Sequence, residues 1–167
     1  MMFKQDQYVV YKKNICKVKE IKENYFKDMD YYILSPIEDD SLTISLPTSN
    51  ENGILRAIMS KEEVENLINS IPSIETINPE NNRPIHYEYK DLITTGKHED
   101  LIKIIKTAYL RNDAKLSDGK KIGATDTNYL KLAEQSLYNE ISLVLQLSYN
   151  ETKKYVQNKV KELNKNN

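Results

Sequence analysis

Two histidines, one cysteine and a run of three acids are the residues of this 167-residue chain whose chemistry could be catalytic or metal-binding. A histidine acts as a base or a ligand when a second group is spaced to orient it. His86 and His98 stand in no H-E-x-x-H or other paired spacing, so each is expected to be a solvent-facing helix residue. Cys16 lies inside an apolar stretch and reads as a small core residue rather than a nucleophile. A lone cysteine forms neither an internal disulfide nor by itself a Cys-rich zinc site, which agrees with a reducing compartment. Glu38, Asp39 and Asp40 could in principle hold a cation, but three adjacent acids lack EF-hand spacing and suit a turn. There is no C-x-x-C, no phosphate-binding G-x-x-x-x-G-K-S/T and no G-x-G-x-x-G. The chain is therefore expected to be non-catalytic, with no metal and no cofactor; an enzyme would have to be built from scattered residues.

Residues suited to binding are better represented. Lys103 and Lys106 fall one helical turn apart, Lys97, Arg111, Lys115, Lys120 and Lys121 flank the same segment, and Lys153, Lys154, Lys159 and Lys161 follow near the end. Such side chains can neutralise phosphates, or simply make a solvated face, since acids are interspersed. Tyr87 and Tyr89, with Arg83 and Lys90 close by, could stack on nucleotides, although Tyr89 also falls on an apolar stripe. The formal charge of -1 hides a division. Residues 1–78 carry 9 Lys+Arg against 13 Asp+Glu, and residues 79–167 carry 15 against 12. The second half is thus the one suited to meet an anion.

The elements that must position these residues follow from the spacing of apolar positions. Short β-branched and aromatic runs at Tyr8–Tyr11, Ile15–Ile21, Tyr31–Leu34 and Leu42–Leu46 predict strands. Asn24–Asp30 supplies hairpin chemistry between the second and third, and Pro36 and Pro47 end the third and fourth. So few short strands suit a small, strongly bent barrel of about five strands. At Ser60 the period becomes helical: Ser60 and Glu63 form a capping box ahead of Val64, Leu67 and Ile68. Pro72, Pro79 and Pro84 make residues 70–84 a linker, which sets domains at 1–69 and 85–167. Beyond it, helices are predicted from Pro84 to Gly96, from His98 to Arg111, from Asp126 through Leu145, and after a second capping box at Ser148 and Glu151. Asn112–Thr125 is expected to be a loop, with Asp126 capping the third helix. The fold class expected is α+β, a β-barrel followed by a helical bundle. No apolar run reaches the roughly 18 residues of a membrane span, and the opening MMFKQDQYVVYKK lacks a signal-peptide core. A cytoplasmic monomer without membrane contact is expected.

Five segments in this order, MFKQDQYVVY, LTISLP, SKEEVENLI, YKDLITTGKHEDLIKIIKTAYLR and AEQSLYNEISLVLQLS, resemble the CarD family of bacterial transcription regulators over nearly the whole chain. The resemblance implies an amino-terminal Tudor-like barrel that binds the RNA polymerase β subunit, similar to the module of the transcription-repair coupling factor. It also implies a helical domain that contacts promoter DNA at the upstream edge of the transcription bubble. Carried onto this sequence, the polymerase-facing residues are Asn24 and the strand Leu42, Thr43, Ile44, Ser45 and Leu46; relatives commonly have arginine where this chain has Asn24 and Ser45. The segment Lys12–Cys16 lacks the Pro and Gly usual in that turn. Family members place a wedge tryptophan just before the first helix of the second domain, but this chain has no tryptophan, and Asn78, or a residue as far along as Asn82, stands there. Arg83 and Lys90 match positions expected near DNA, and Lys103, Lys106, Lys120 and Lys121 complete the expected, mostly phosphate-directed contact set. The function implied is regulation of open-complex stability through linkage rather than catalysis. The alternative is a protein-interaction adaptor that keeps the barrel's strand-pairing surface without DNA contact.

Overall fold

A computed structural model describes residues 2–166. The chain is α+β, an antiparallel sheet followed by helices, and it divides into two compact units, one ending at Ile58 and the next beginning at Met59.

The first unit holds β1 (Tyr8–Tyr11), β2 (Asn14–Phe26), β3 (Met29–Pro36), β4 (Ile44–Pro47) and β5 (Leu55–Ala57). Their order across the sheet is β4-β3-β2-β1-β5, with every neighbouring pair antiparallel. Alternation buries one face: Val9, Cys16, Val18, Tyr32 and Leu34 are fully enclosed, with Phe3 and Leu55 closing the cluster. Phe3 sits edge-on to Tyr32 at 5.8 Å and donates its N–H to the Tyr32 hydroxyl at 3.0 Å. Cys16 is therefore a core residue, as expected, and burial pushes its thiol pKa up, away from reactivity.

The strand bounds differ from the sequence expectation in β2, β4 and β5, and β3 runs Met29–Pro36 rather than Tyr31–Leu34. β2 continues past Ile21 to Phe26, because two register shifts, at Val18/Glu20 and Lys22/Phe26, let it bend and stay paired. Its hairpin to β3 turns on Lys27 and Asp28, both left-handed (φ 52° and 57°), the geometry of the tight turns that match strand twist. β4 begins at Ile44 rather than Leu42, and β5 is a three-residue strand too short to show alternation in sequence. The turn between β1 and β2 forms without Pro or Gly, with Lys12 taking the left-handed conformation at φ 55°. Among the described residues the sheet is not closed by strand pairing, since β4 pairs only with β3 and β5 only with β1.

The second unit contains α1 (Lys61–Ser70), α2 (Ile85–Thr95), α3 (His98–Ser117), α4 (Ala124–Leu145) and α5 (Tyr149–Lys165). Both expected capping boxes form, Ser60 with Glu63 and Ser148 with Glu151, and Gly96 ends α2 in the left-handed conformation at φ 66°. Val64 and Ile68 of α1 join Tyr89, Ile102, Ile104, Ala108, Ala133, Leu137, Ile141 and Val156 in one core.

That core moves the expected boundary. Residues 61–70 do not end the first domain: α1 is a core helix of the second unit, and the unit begins at Met59. Residues 70–84 are not a free linker either. A 3₁₀ turn at Ile71–Ser73 follows α1 directly, Ile71 and Ile74 are buried in the helical core, and the Ile77 N–H donates to Thr107 Oγ1 of α3 at 2.8 Å. The prolines block helix, as argued, but the isoleucines between them bind the segment to α3. The loop expected over Asn112–Thr125 is shorter, because α3 runs to Ser117. Asn112 turns inward, donating to Thr127 Oγ1 at 3.3 Å and accepting the Gly123 N–H at 3.2 Å, so a polar residue serves the helix pair rather than ending it.

Candidate functional site

β4 is an edge strand, and its hydrogen-bond phase decides what it offers. Thr48 donates to the Asp30 carbonyl at 2.9 Å, which makes Asp30/Thr48 a hydrogen-bonded pair. Counting along the register, Leu46 and Ile44 bond to β3, whereas Ser45, opposite Ile33, turns its N–H and C=O away from the sheet. Pro47 falls in the same outward phase, where a missing N–H costs the ladder nothing. Ile44 and Leu46 pack on the core, and the Ser45 side chain is exposed. Of the expected contact residues, Ile44, Ser45 and Leu46 are thus in the strand, while Leu42 and Thr43 precede it in exposed, irregular backbone.

Asn24 lies at the hairpin between β2 and β3, in a left-handed bulge (φ 50°), and its N–H donates to Asp30 Oδ1 at 2.9 Å. Around it is a cluster the sequence reading did not single out. Tyr25, Phe26 and Met29 are 50%, 54% and 41% exposed, too much for core residues. Tyr31 stands 5.5 Å from Tyr25 and 6.4 Å from Phe26, and the ammoniums of Lys22 and Lys27 lie 5.0 Å and 5.3 Å from the Tyr25 and Phe26 ring centres. The signal was present as aromatic pairs on both sides of a polar turn, but Tyr25 and Phe26 read as part of the Asn24–Asp30 turn and Tyr31 as strand propensity.

The seven residues expected at DNA differ in what they already contact. Asn78 is exposed and lines an open groove with Glu80, Asn81, Asn82, Arg83, Pro84 and Glu88. Arg83 is committed within the unit: its Nη1 lies 2.9 Å from Asp91 and 3.2 Å from Glu88, and its guanidinium sits 5.4 Å from the Tyr87 ring. Tyr87 in turn stacks on His86 at 3.9 Å and remains 45% exposed. Lys103 pairs with Glu99 at 3.8 Å. Lys106 is turned inward: its Nζ donates to the Ile71 carbonyl at 2.9 Å and to the Ile74 carbonyl, and burial lowers its pKa. Two of the three donors of this ammonium are spent on carbonyls, so Lys106 serves the fold first. Lys90, Lys120 and Lys121 are exposed and, among the described residues, join no ion pair.

Two buried carboxylates organise the helical unit, and neither was assigned its role from sequence. Asp126 does not cap α4; Gly123 is the N-cap, and the Asp126 side chain points inward, 1% exposed. Oδ1 accepts the Tyr89 hydroxyl at 2.7 Å and Arg111 Nε at 3.0 Å, and Oδ2 accepts Lys115 Nζ at 3.3 Å. Burial alone would raise its pKa; the hydrogen bonds from Tyr89 and Arg111, the Arg111 charge and the Lys115 bond outweigh it and hold the carboxyl below its ordinary value. A Cβ at Gly123 would stand 2.6 Å from Lys115 Nζ, the mobile end of a flexible side chain, and 3.2 Å from Asp126 Oδ2. Glu140, 2% exposed, accepts the Met59 N–H at 2.9 Å and lies 2.9 Å from His98 Nε2. His98 is therefore not solvent-facing as expected, because a buried acid on α4 draws it in; His86 is exposed, stacked on Tyr87.

No family model and no curated protein matches this chain. Among the described residues no group of three His, Cys, Asp or Glu side chains could hold a metal ion. Asp39 instead accepts from the Ser41 N–H and hydroxyl, closing a turn in the acidic run. No described helix is long and apolar enough to cross a membrane.

Proposed function

We propose that this chain is a non-catalytic transcription regulator, with a Tudor-like first unit that docks on RNA polymerase and a helical second unit that touches promoter DNA. The observation that carries the docking half is the outward N–H and C=O of Ser45 on edge strand β4. Backbone groups of this kind pair with an extended segment of another protein, and such pairing tolerates the loss of the arginines that relatives carry at Asn24 and Ser45. The aromatic hairpin beside Tyr31, which faces Pro47 across β3 and β4, adds apolar area to the same side of the unit. A bent β2 with two register shifts supports the Tudor-like reading. Substituting Ser45→Pro removes the outward donor and leaves the β3 ladder intact. Binding to the isolated polymerase β subunit should then fall, with circular dichroism unchanged; undiminished binding by a folded variant would refute β4 docking.

The rival reading, an adaptor without DNA contact, is favoured by one observation: Arg83 Nη1 and two of the three donors of Lys106 are already engaged within the unit. DNA contact in the leading reading therefore falls first to Lys90, Lys120 and Lys121, which are exposed and join no ion pair among the described residues. Titrating bubble-containing promoter DNA at several salt concentrations separates the two, since phosphate contacts make affinity fall steeply with salt.

A further inference from the structure

A sheet with two edges can add a strand at either, yet both outward groups of Leu55 on β5 are already occupied. Asn50, in the loop after β4, donates from Nδ2 to the Leu55 carbonyl at 2.8 Å and accepts the Leu55 N–H on Oδ1 at 3.1 Å. A primary amide carries the same donor and acceptor as a peptide unit, so this two-bond ring is what a neighbouring strand would make with Leu55. The phase agrees. Val18 donates to the Gln7 carbonyl at 2.9 Å, so Gln7, Val9 and Tyr11 bond toward β2 and Val10 bonds toward Arg56, which leaves Leu55 and Ala57 pointing outward. Arg56 Nη1 takes the outward Ala57 carbonyl at 3.1 Å. Asn50 is itself held in place from the β4 side: its N–H donates to the Pro47 carbonyl at 3.2 Å and its carbonyl accepts the Gly53 N–H at 2.9 Å. Its backbone is left-handed (φ 46°), a conformation asparagine tolerates better than almost any residue except glycine.

We infer that Asn50 is a strand-mimicking plug that closes the β5 edge to a second copy of this chain and confines strand addition to β4. It acts as a specificity-determining residue for docking, and in that sense the inference rests on the docking function proposed above. A three-residue strand with both Leu55 groups open would offer a self-complementary edge, since two antiparallel copies can exchange Leu55 N–H and C=O about a two-fold axis. With the plug in place, that exchange has no free partners.

The test uses the full chain and no polymerase, so its outcome is separate from that of Ser45→Pro. In sedimentation velocity, Asn50→Ala should show a concentration-dependent rise in mass toward the dimer under conditions where the unsubstituted protein shows none, with its circular dichroism spectrum preserved. A folded Asn50→Ala that stays monomeric across the same range overturns the inference. Should the variant fail to fold, amide hydrogen exchange on the unsubstituted protein decides: the Leu55 N–H should be protected by roughly tenfold or more over an unstructured amide. An unprotected Leu55 N–H overturns the plug whatever the variant does. If Ser45→Pro leaves polymerase binding intact while Asn50→Ala dimerises, β4 docking is wrong, and what stands of the inference is that Asn50 closes β5 to a second copy.

Discussion

Asp126→Ala should be among the most destabilising single changes in the helical unit. The Tyr89 hydroxyl is fully buried, and losing its acceptor leaves a donor unpaired, at a cost of about 1–3 kcal/mol. Arg111 and Lys115 are 43% and 34% exposed, so water replaces the carboxylate for them, and each loss is worth under about 1 kcal/mol. The expected total is about 2–4 kcal/mol, smaller than for a pair buried on both sides. Urea unfolding of the full chain followed by helical circular dichroism measures it, and Tyr89→Phe completes a double-mutant cycle. The coupling between the two positions should be about 1–2 kcal/mol. The sign with pH follows from the lowered pKa of the carboxyl. A group whose folded pKa lies below its unfolded value of about 3.9 contributes fully above that value and loses its contribution as pH falls through the folded one. The stability gap between the native protein and Asp126→Asn should therefore be widest near neutrality and narrow below about pH 4. An Asp126→Ala protein within about 0.5 kcal/mol of the native one, or a gap that does not narrow in acid, would refute the reasoning.

Three other outcomes are expected. Thr152 is fully buried and its Oγ1 has no hydrogen-bond partner, so Thr152→Val should leave stability unchanged or raise it by about 1 kcal/mol in the same urea assay; a loss larger than that would mean the hydroxyl is bonded. Lys120→Ala and Lys121→Ala should each reduce the slope of log affinity for promoter DNA against log salt by about one, whereas Lys106→Met should lower the melting temperature and leave the slope alone. Asn78→Trp adds an apolar wedge where this chain offers an exposed amide and should lengthen open-complex lifetime on a single promoter. If instead Tyr87, exposed against His86, already serves as the wedge, Asn78→Trp will do little and Tyr87→Ala will shorten the lifetime.

The sequence was most informative where one local rule acted alone. Ser60/Glu63, Ser148/Glu151 and Gly96 sit where capping chemistry requires, and Tyr89 is buried as its stripe demanded. It was least informative where a polar residue is used from far along the chain. Asp126 reads as an N-cap because its partners Tyr89 and Arg111 lie 37 and 15 residues away. Lys106 reads as a phosphate ligand because the carbonyls it caps belong to a proline-rich stretch that looks unstructured. The boundary moved for a similar reason: the periodicity of α1 marks an apolar face but says nothing about which core covers it. Within the candidate site, the alternation of β4 was visible, whereas the phase that turns Ser45 outward depends on the Thr48–Asp30 bond, which no local pattern encodes.

The packing of α1 also sets an order in time. Its partner in the buried core is the last helix: Tyr155 of α5 donates to Glu65 of α1 at 2.6 Å, 90 residues further along. Glu140 likewise reaches back 81 residues to the Met59 amide. During synthesis, the β-sheet unit, built from successive hairpins and one closing strand, can form as soon as β5 has been made, because all its pairings lie behind it. α1 cannot do the same. The cover of Val64 and Ile68 is complete only when α4 and α5 have been made, an interval on the order of ten seconds at usual rates of elongation. The nascent chain thus carries a finished sheet followed by an apolar helix awaiting its cover, and that interval is when chaperones or neighbouring chains have access to it.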